Sequence, residues 1–406
     1  MATYWVDVQD AKGKRTKAKV KAKSPIAAQR SLRGKYPKIG KAKKAGLDLE
    51  IDFSSLEERL SRVSLRDKAI FSRQFATMVN AGVGIVRCLS VLCEQCSNPK
   101  LRKSLIAISE DVQQGVNLSE AMSKHPRSFD RLYVSMVEAG EAGGVLDEVL
   151  NRLAKLLEDM ARLEGQIKSA MVYPLAVGLF AFAVFIGMTV FLIPIFAGIF
   201  EGLGVALPAL TQFMLDLSAL LRSPRAIIIV VVIGGGYLGF RQYYRTPTGR
   251  LRIDQLMLKI PLFGGLIEKN AVARFCRIFG TLTRSGVPIL YGLDIVRHTA
   301  GNQVYANAIE MSKQEVQQGG MISLALQREK VFPPLAIQMM SIGEETGELD
   351  TMMIKVADFY EDEVEQTVKA ITSLIEPVMM VGVAVIVGVI LLAMYLPMFK
   401  VFDQLG

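Results

Sequence analysis

The sequence predicts an all-α integral membrane protein made by duplication, with two homologous cytoplasmic helical bundles, three transmembrane helices and a small N-terminal β-hairpin/helix module. Three observations carry this prediction: two long charge-free segments with a shorter third between them, a set of landmarks that recurs half a chain later, and a lysine-rich beginning whose apolar positions alternate. At 406 residues the chain can bury several cores, and 51% hydrophobic against 21% charged residues is apolar for a soluble protein.

The first fifty residues stand apart. YWVDVQ and KRTKAKVKAK flank DAKGK and alternate as a hairpin does, and Ser24-Pro25 opens a short helix through Leu32. Residues 1–44 hold fourteen Lys or Arg and two acids, a net of +12 in a chain whose total is +9. Such a patch suits anionic lipid or an acidic protein surface rather than nucleic acid, and the plain alternative is a solvated basic strand and tail.

Ala170 to Phe200 carries no charge, and about 20 such residues cross a hydrocarbon layer of about 30 Å. Pro377 to Phe399 is equally clean. Ala226 to Phe240 is shorter, between Arg225 and Arg241, whose long side chains can reach the interfaces; a buried core helix or re-entrant segment is the alternative. Basic residues crowd the regions before the first span, after the second and before the third, which places the N-terminus and the middle region in the cytoplasm and the C-terminal tail in the periplasm. The first forty residues lack the apolar stretch of a cleavable signal.

The repeat organises everything else. FSRQFATMVNAGVGI from Phe71 answers FCRIFGTLTRSGVPI from Phe275 at an offset of 204, and VQQG at Val112 answers VQQG at Val316. After one residue is lost, the offset becomes 203: GEAGGVLD (Gly140 to Asp147) answers GEETGELD (Gly343 to Asp350), Tyr173-Pro174 answers Glu376-Pro377, and FLIPIF answers MYLPMF. Each copy is a helical bundle followed by one membrane helix, since apolar residues from Leu146 and from Leu349 onward recur every three or four positions. The extra middle span restores the same orientation to both copies. In residue numbers the expected organisation is a basic module at 1–50, a linker at 51–65, the first bundle at 66–170, a span at 171–200, a periplasmic loop at 201–225, a span at 226–243, a linker at 244–269, the second bundle at 270–374, a span at 375–399 and a periplasmic tail at 400–406.

Chemistry is hard to find. There is no GxxxxGK[ST] loop, so nucleotide hydrolysis must occur on another chain, and no nucleophile, zinc or kinase signature appears. Cys93 and Cys96 form a CxxC without a second pair or a nearby histidine, which reads as small buried residues on a helix. The paired acids Glu344 and Glu345 lack the alternating oxygen ligands of a calcium loop. No cofactor or metal is expected.

The repeat turns supply the candidate residues. In this reading Gly140, Gly144, Gly343 and Gly347 punctuate them; Gly343 ends one helix, Thr346 caps the next, and Glu348 and Asp350 suit its positive end. Glu376, before Pro377, reads either as a cap in the first turn of a membrane helix or as a group that handles a partner's membrane helix. Alternatively Pro174 and Pro377 bend continuous long helices.

The F-x-R-Q-x-A-T-M-x-x-A-G-V run, the Tyr173-Pro174 step, GEETG-x-LD, ADFYEDEV, IEP and AMYLPMF together resemble the PilC/GspF family, the inner-membrane platform proteins of type IV pilus and type II secretion machines. The likeness covers nearly the whole chain; Gly84 departs from it, standing where proline is usual, as at Pro288. It implies a non-enzymatic platform for type IV pilus assembly, with the equivalent platform of a type II secretion system as the alternative. The implied partners are cytoplasmic hexameric ATPases for extension and optionally retraction, pilin subunits, inner-membrane alignment proteins and further copies of the chain. On this view Glu344, Glu345, Glu348, Asp350, Glu361, Asp362, Glu363 and Glu365 are candidates for gripping the motor, and Tyr173, Pro174, Pro194, Glu376, Pro377 and Pro397 for the membrane helices and their hinges. A small transporter, the reading from another class, would show inverted repeats and charged residues at mid-membrane, whereas these repeats are parallel and the spans almost uncharged.

Overall fold

The computed structural model describes residues 2–9, 15–22, 24–32, 38–44, 62–202 and 207–405, which fall into two units divided after Ser61. In the N-terminal unit, β1 (Ala2–Gln9) pairs antiparallel with β2 (Arg15–Ala22), and α1 (Pro25–Leu32) follows. Val6 and Val8, two apart and thus on one face, are buried. The expected DAKGK turn lies outside the described residues. A third strand, β3 (Lys38–Lys44), pairs antiparallel with the other edge of β1, so the expected hairpin is the larger part of a three-stranded sheet. Its sequence KIGKAKK reads as a basic tail because lysine fills most of it, a composition that also suits an edge strand.

The second unit is helical. Its first bundle contains α2 (Leu65–Asn80), α3 (Ile85–Gln95), α4 (Pro99–Gln113), α5 (Leu118–Ser123), α6 (Arg131–Gly143) and the start of α7 (Leu146–Gly187). A π-helical turn (Met188–Leu192) joins α7 to α8 (Ile193–Gly202). Then come α9 (Ala209–Arg222), α10 (Arg225–Tyr244) and α11 (Pro247–Lys259). The second bundle is α12 (Phe263–Arg284), α13 (Ile289–Thr299), α14 (Gln303–Gln317), α15 (Ile322–Glu329), α16 (Pro334–Thr346) and the start of α17 (Leu349–Leu405).

The duplication is visible in the cores. Phe71 stacks on Phe75 at 5.6 Å and meets Phe129 edge-on, and Phe275 stacks on Phe279 at 5.5 Å and meets Phe332 edge-on. Ser64 and Asp67 form a capping box at the start of α2, while Asn98 and Asn302 accept from the first amides of α4 and α14. These are short local signals that fix where each helix begins.

Among the described residues three helices are long and apolar enough to cross a membrane: Leu146–Ile199, Arg225–Tyr244 and Leu349–Phe399. The chain is an integral membrane protein. Two expectations change here. The segment expected as a periplasmic loop contains α9, which buries Thr211 and Met214 against Ile193, Ile390 and Ala393; the Thr211 hydroxyl donates to the Ala393 carbonyl at 2.7 Å. Its buried stripe, Thr211, Met214 and Ser218 at i, i+3 and i+7, is polar at two of its three positions and so reads as part of a polar connection. The C-terminal tail is no separate segment either, because α17 continues unbroken through Leu405.

Candidate functional site

The paired acidic phrase is a helix crossing seen twice. α6 and α16 run past Gly140 and Gly343 and end on Gly144 (φ 67°) and Gly347 (φ 77°), both left-handed, where glycine has no steric penalty. Gly343 therefore does not end its helix. A Cβ there would stand 2.8 Å from the Leu349 Cα, and one at Gly140 would stand 3.1 Å from the Leu146 Cα. Both glycines let the next helix turn back close against the previous one. Thr346 does not cap α17, since its hydroxyl donates to the Ile342 carbonyl at 2.8 Å.

The glutamate after each glycine caps a helix elsewhere in its bundle. Glu344 accepts from the amides of Ile322 (2.6 Å) and Ser323 (2.9 Å). Glu141 accepts from the amides of Leu118 (2.7 Å) and Ser119 (3.0 Å) and from the Ser119 hydroxyl. The N-cap residues of α5 and α15, Asn117 and Met321, make no side-chain cap bond, so these carboxylates satisfy otherwise orphan amides at the positive end of each helix.

A second equivalent pair ties the first helix of each bundle to its last. Arg73 forks onto Glu158, with Nε to Oε1 at 2.7 Å, and Arg277 reaches Glu361 through Nε (2.8 Å) and Asp358 through Nη2 (2.6 Å). The Arg277 side chain is 10% exposed and that of Glu361 is 15%, so this carboxylate belongs to the interior.

The eight acids expected to grip a motor thus separate. Glu344, Asp350 (to Arg284, 2.8 Å), Glu361, Glu363 (to Lys269, 2.8 Å) and Glu365 (to Lys369, 2.8 Å) are engaged within the chain. Glu345, Glu348 and Asp362 are exposed. For Asp350, Glu361 and Glu363 a distant arginine or lysine, invisible in the local sequence, draws this line; Glu344 is held by two distant amides and Glu365 by Lys369 one turn on.

In the membrane helices, Tyr173-Pro174 and Glu376-Pro377 lie inside continuous α7 and α17, which begin at Leu146 and Leu349. Glu376 is therefore not at a helix start, and the capping reading of it gives way to an interior proline step. Each proline removes one backbone bond from a long helix. Just before Pro194 the Ile193 amide donates five residues back to Met188, and this π turn absorbs the missing donor; Pro397, its counterpart, lies within uninterrupted α17. Among the described residues no group of three His, Cys, Asp or Glu is placed to hold a metal ion.

The two bundles meet through unlike surfaces. From α6 and α7, Arg131 reaches Asp294 (3.4 Å), the Ser135 hydroxyl donates to Tyr291 (3.1 Å), and Arg152 donates to the Arg284 carbonyl (2.5 Å). These contacts border a cleft of about 1000 Å³ with Ala142 and Val145 on one side and Tyr291 on the other. Asp294 is held below the ordinary carboxyl range, chiefly by the hydrogen bond from Lys313 and further by His298 and Arg131.

Known proteins carry similar sequences. The family described as type II secretion system (T2SS), protein F, matches residues 71–194 and again 275–397. The type IV pilus assembly protein PilC of Thermus thermophilus is 43% identical over the whole of both chains, and that of Myxococcus xanthus is 42% identical over 82% of this chain and 80% of its own. The type II secretion system protein F of Vibrio cholerae is 32% identical over 83% of each. With the family matching separately in each repeat and identity running from end to end, the chain belongs to the PilC/GspF family.

Proposed function

We propose that this chain is the inner-membrane platform of a type IV pilus assembly machine, coupling a cytoplasmic hexameric ATPase to the insertion of pilin subunits into a growing fibre. The observation that carries this reading is the end-to-end 43% identity to a type IV pilus assembly protein. The fold supports it physically: each bundle continues directly into a membrane helix, so movement of a bundle reaches the bilayer without a joint. The excess of Lys and Arg on one side supports a cytoplasmic N-terminus and a periplasmic C-terminus. The basic N-terminal unit suits anionic lipid. Of the acids expected to meet the motor, the exposed Glu345, Glu348 and Asp362 are those this reading retains; alignment proteins of the inner membrane complete the partner set.

Deletion of the chain is expected to abolish surface filaments while pilin accumulates in the inner membrane. Normal piliation in the deletion strain would overturn the pilus reading, and loss of an exported enzyme instead would favour the secretion platform to which the Vibrio cholerae relative's name points. For topology, a reporter fused at Gly204, outside the described residues, should be active in the periplasm, and fusions at Gly140 and Gly347 in the cytoplasm.

A further inference from the structure

The stretch between the second span and the second bundle has both of its ends at the membrane surface. α10 finishes on Tyr243 and Tyr244 between Arg241 and Arg245, the aromatic and basic residues that mark where a span leaves the bilayer. α12 runs antiparallel to α17: Arg284 meets Asp350, Arg277 meets Asp358, and Lys269 meets Glu363 and Thr367. Followed from Lys269 back to its first residue, Phe263, that register comes level with residues 369–373 of α17, just ahead of the charge-free run from Pro377. α11, about 20 Å long at about 1.5 Å per residue, therefore starts and finishes at one height and lies along the membrane. Its corners have no slack, since a Cβ at Gly249 would stand 2.1 Å from the Tyr243 carbonyl oxygen and one at Gly264 2.1 Å from that of Leu258.

One face of α11 is fixed to the bundle. Asp254, buried, accepts from the Tyr244 hydroxyl at 2.9 Å and from the Gln303 amide at the start of α14 at 2.7 Å. Leu256, two positions on and so on the opposite face, is 65% exposed. Met257, Ile260, Leu262 and Phe263 continue this exposed apolar set through the corner that leads into α12. Leu262 has φ 70°, a left-handed conformation that suits glycine and strains a leucine, and its side chain is 54% exposed. A strained corner that turns a large apolar side chain outward is unfavourable in water and favourable against hydrocarbon. Every exposed charged residue from Arg245 to Phe263 is basic: Arg245, Arg250, Arg252 and Lys259.

We infer that α11 and the corner after it are an interfacial membrane anchor, with Leu256, Ile260, Leu262 and Phe263 seated among the upper acyl chains and Arg252 and Lys259 on the lipid phosphates. The occupant of this face is the bilayer surface because the corner stands level with the mouth of the α17 span and cations border the apolar positions. The second bundle is thus held to the membrane at a point beside its own span, and its tilt is set by two attachments instead of one. The inference rests on the membrane helices and is independent of which machine the chain serves.

The test uses the full-length protein in vesicles of phosphatidylethanolamine and phosphatidylglycerol, with Cys93 and Cys96 replaced by Ala and the buried Cys88 and Cys276 kept. An environment-sensitive fluorophore is attached at Leu256→Cys, at Leu262→Cys and, as the reference, at Glu348→Cys, exposed at the end of the second bundle away from the span. Lipids brominated near the headgroup end of their chains should quench the first two, at a depth of about 5–10 Å, and leave the reference bright. In native membranes, a photoreactive residue in place of Leu262 should capture phospholipid. Three results overturn the proposal: quenching at Leu256→Cys and Leu262→Cys no greater than at the reference, strongest quenching by lipids brominated near the bilayer centre, which would make the segment re-entrant, or capture of a protein at Leu262 in place of phospholipid.

Discussion

The Glu344 carboxylate receives the Ile322 amide at 2.6 Å across a separation of 22 residues, and in the other repeat Glu141 receives Leu118 in the same way. Replacing Glu344 by Ala strands two amides at the start of α15 and is expected to cost about 1–3 kcal/mol. Glu344→Gln, which keeps one acceptor, should cost less. Denaturant unfolding of the purified protein checks both, and equal losses would show that the carboxylate is not acting as a cap.

Gly343 and Gly140 are expected to resist enlargement in a fixed order. The closer approach at Gly343, 2.8 Å against 3.1 Å, makes Gly343→Ala the more damaging, at about 1–3 kcal/mol of overpacking. Thermal melts of the two variants should rank them this way; the reverse order would mean that α17 yields more easily than α7.

Arg277 is expected to tolerate neither Ala nor Lys. Ala leaves Glu361 without its partner in the interior, a loss of about 3–5 kcal/mol, and Lys cannot reach Glu361 and Asp358 together. Arg73 and Glu158 are each about two-fifths exposed, so Arg73→Ala should cost below about 1 kcal/mol. Comparable losses at the two sites, measured by unfolding, would contradict this difference.

Acid is expected to weaken the tie of Asp294 to Lys313 within the second bundle and, to a smaller extent, its tie to Arg131 across the bundle contact. Because Asp294 is depressed in the folded state, the unfolded chain takes up its proton first. The stabilisation is complete above the unfolded value of about 3.9 and is lost as pH falls through the lower folded value. Melting temperatures recorded below about pH 5 should therefore fall less steeply for Asp294→Asn than for the native chain. Parallel profiles would place the acid sensitivity elsewhere.

The duplication, the membrane helices and the helical bundles were legible because each leaves a signal within a few turns of chain: matched phrases, missing charge, apolar spacing of three and four. What the sequence concealed depends on partners far away. Nothing near Glu361 says that Arg277 waits 84 residues upstream, or that Glu344 serves the start of α15. Gly343 looked like a helix end because glycine there usually is one; its actual task, close approach to Leu349, needs the third dimension. The α9 helix escaped notice because its buried stripe matters only once Ile390 and Ala393 stand beside it.

The 57 residues of α17 reach about 85 Å at 1.5 Å per residue. Over that length, a tilt of about 4° at the bundle end carries the opposite end sideways by about 6 Å, more than the pitch of one helical turn. The bundle and the bilayer segment are thus two ends of a single lever arm, and a small angular stroke on one side of the membrane is delivered on the other as a displacement the size of a side chain.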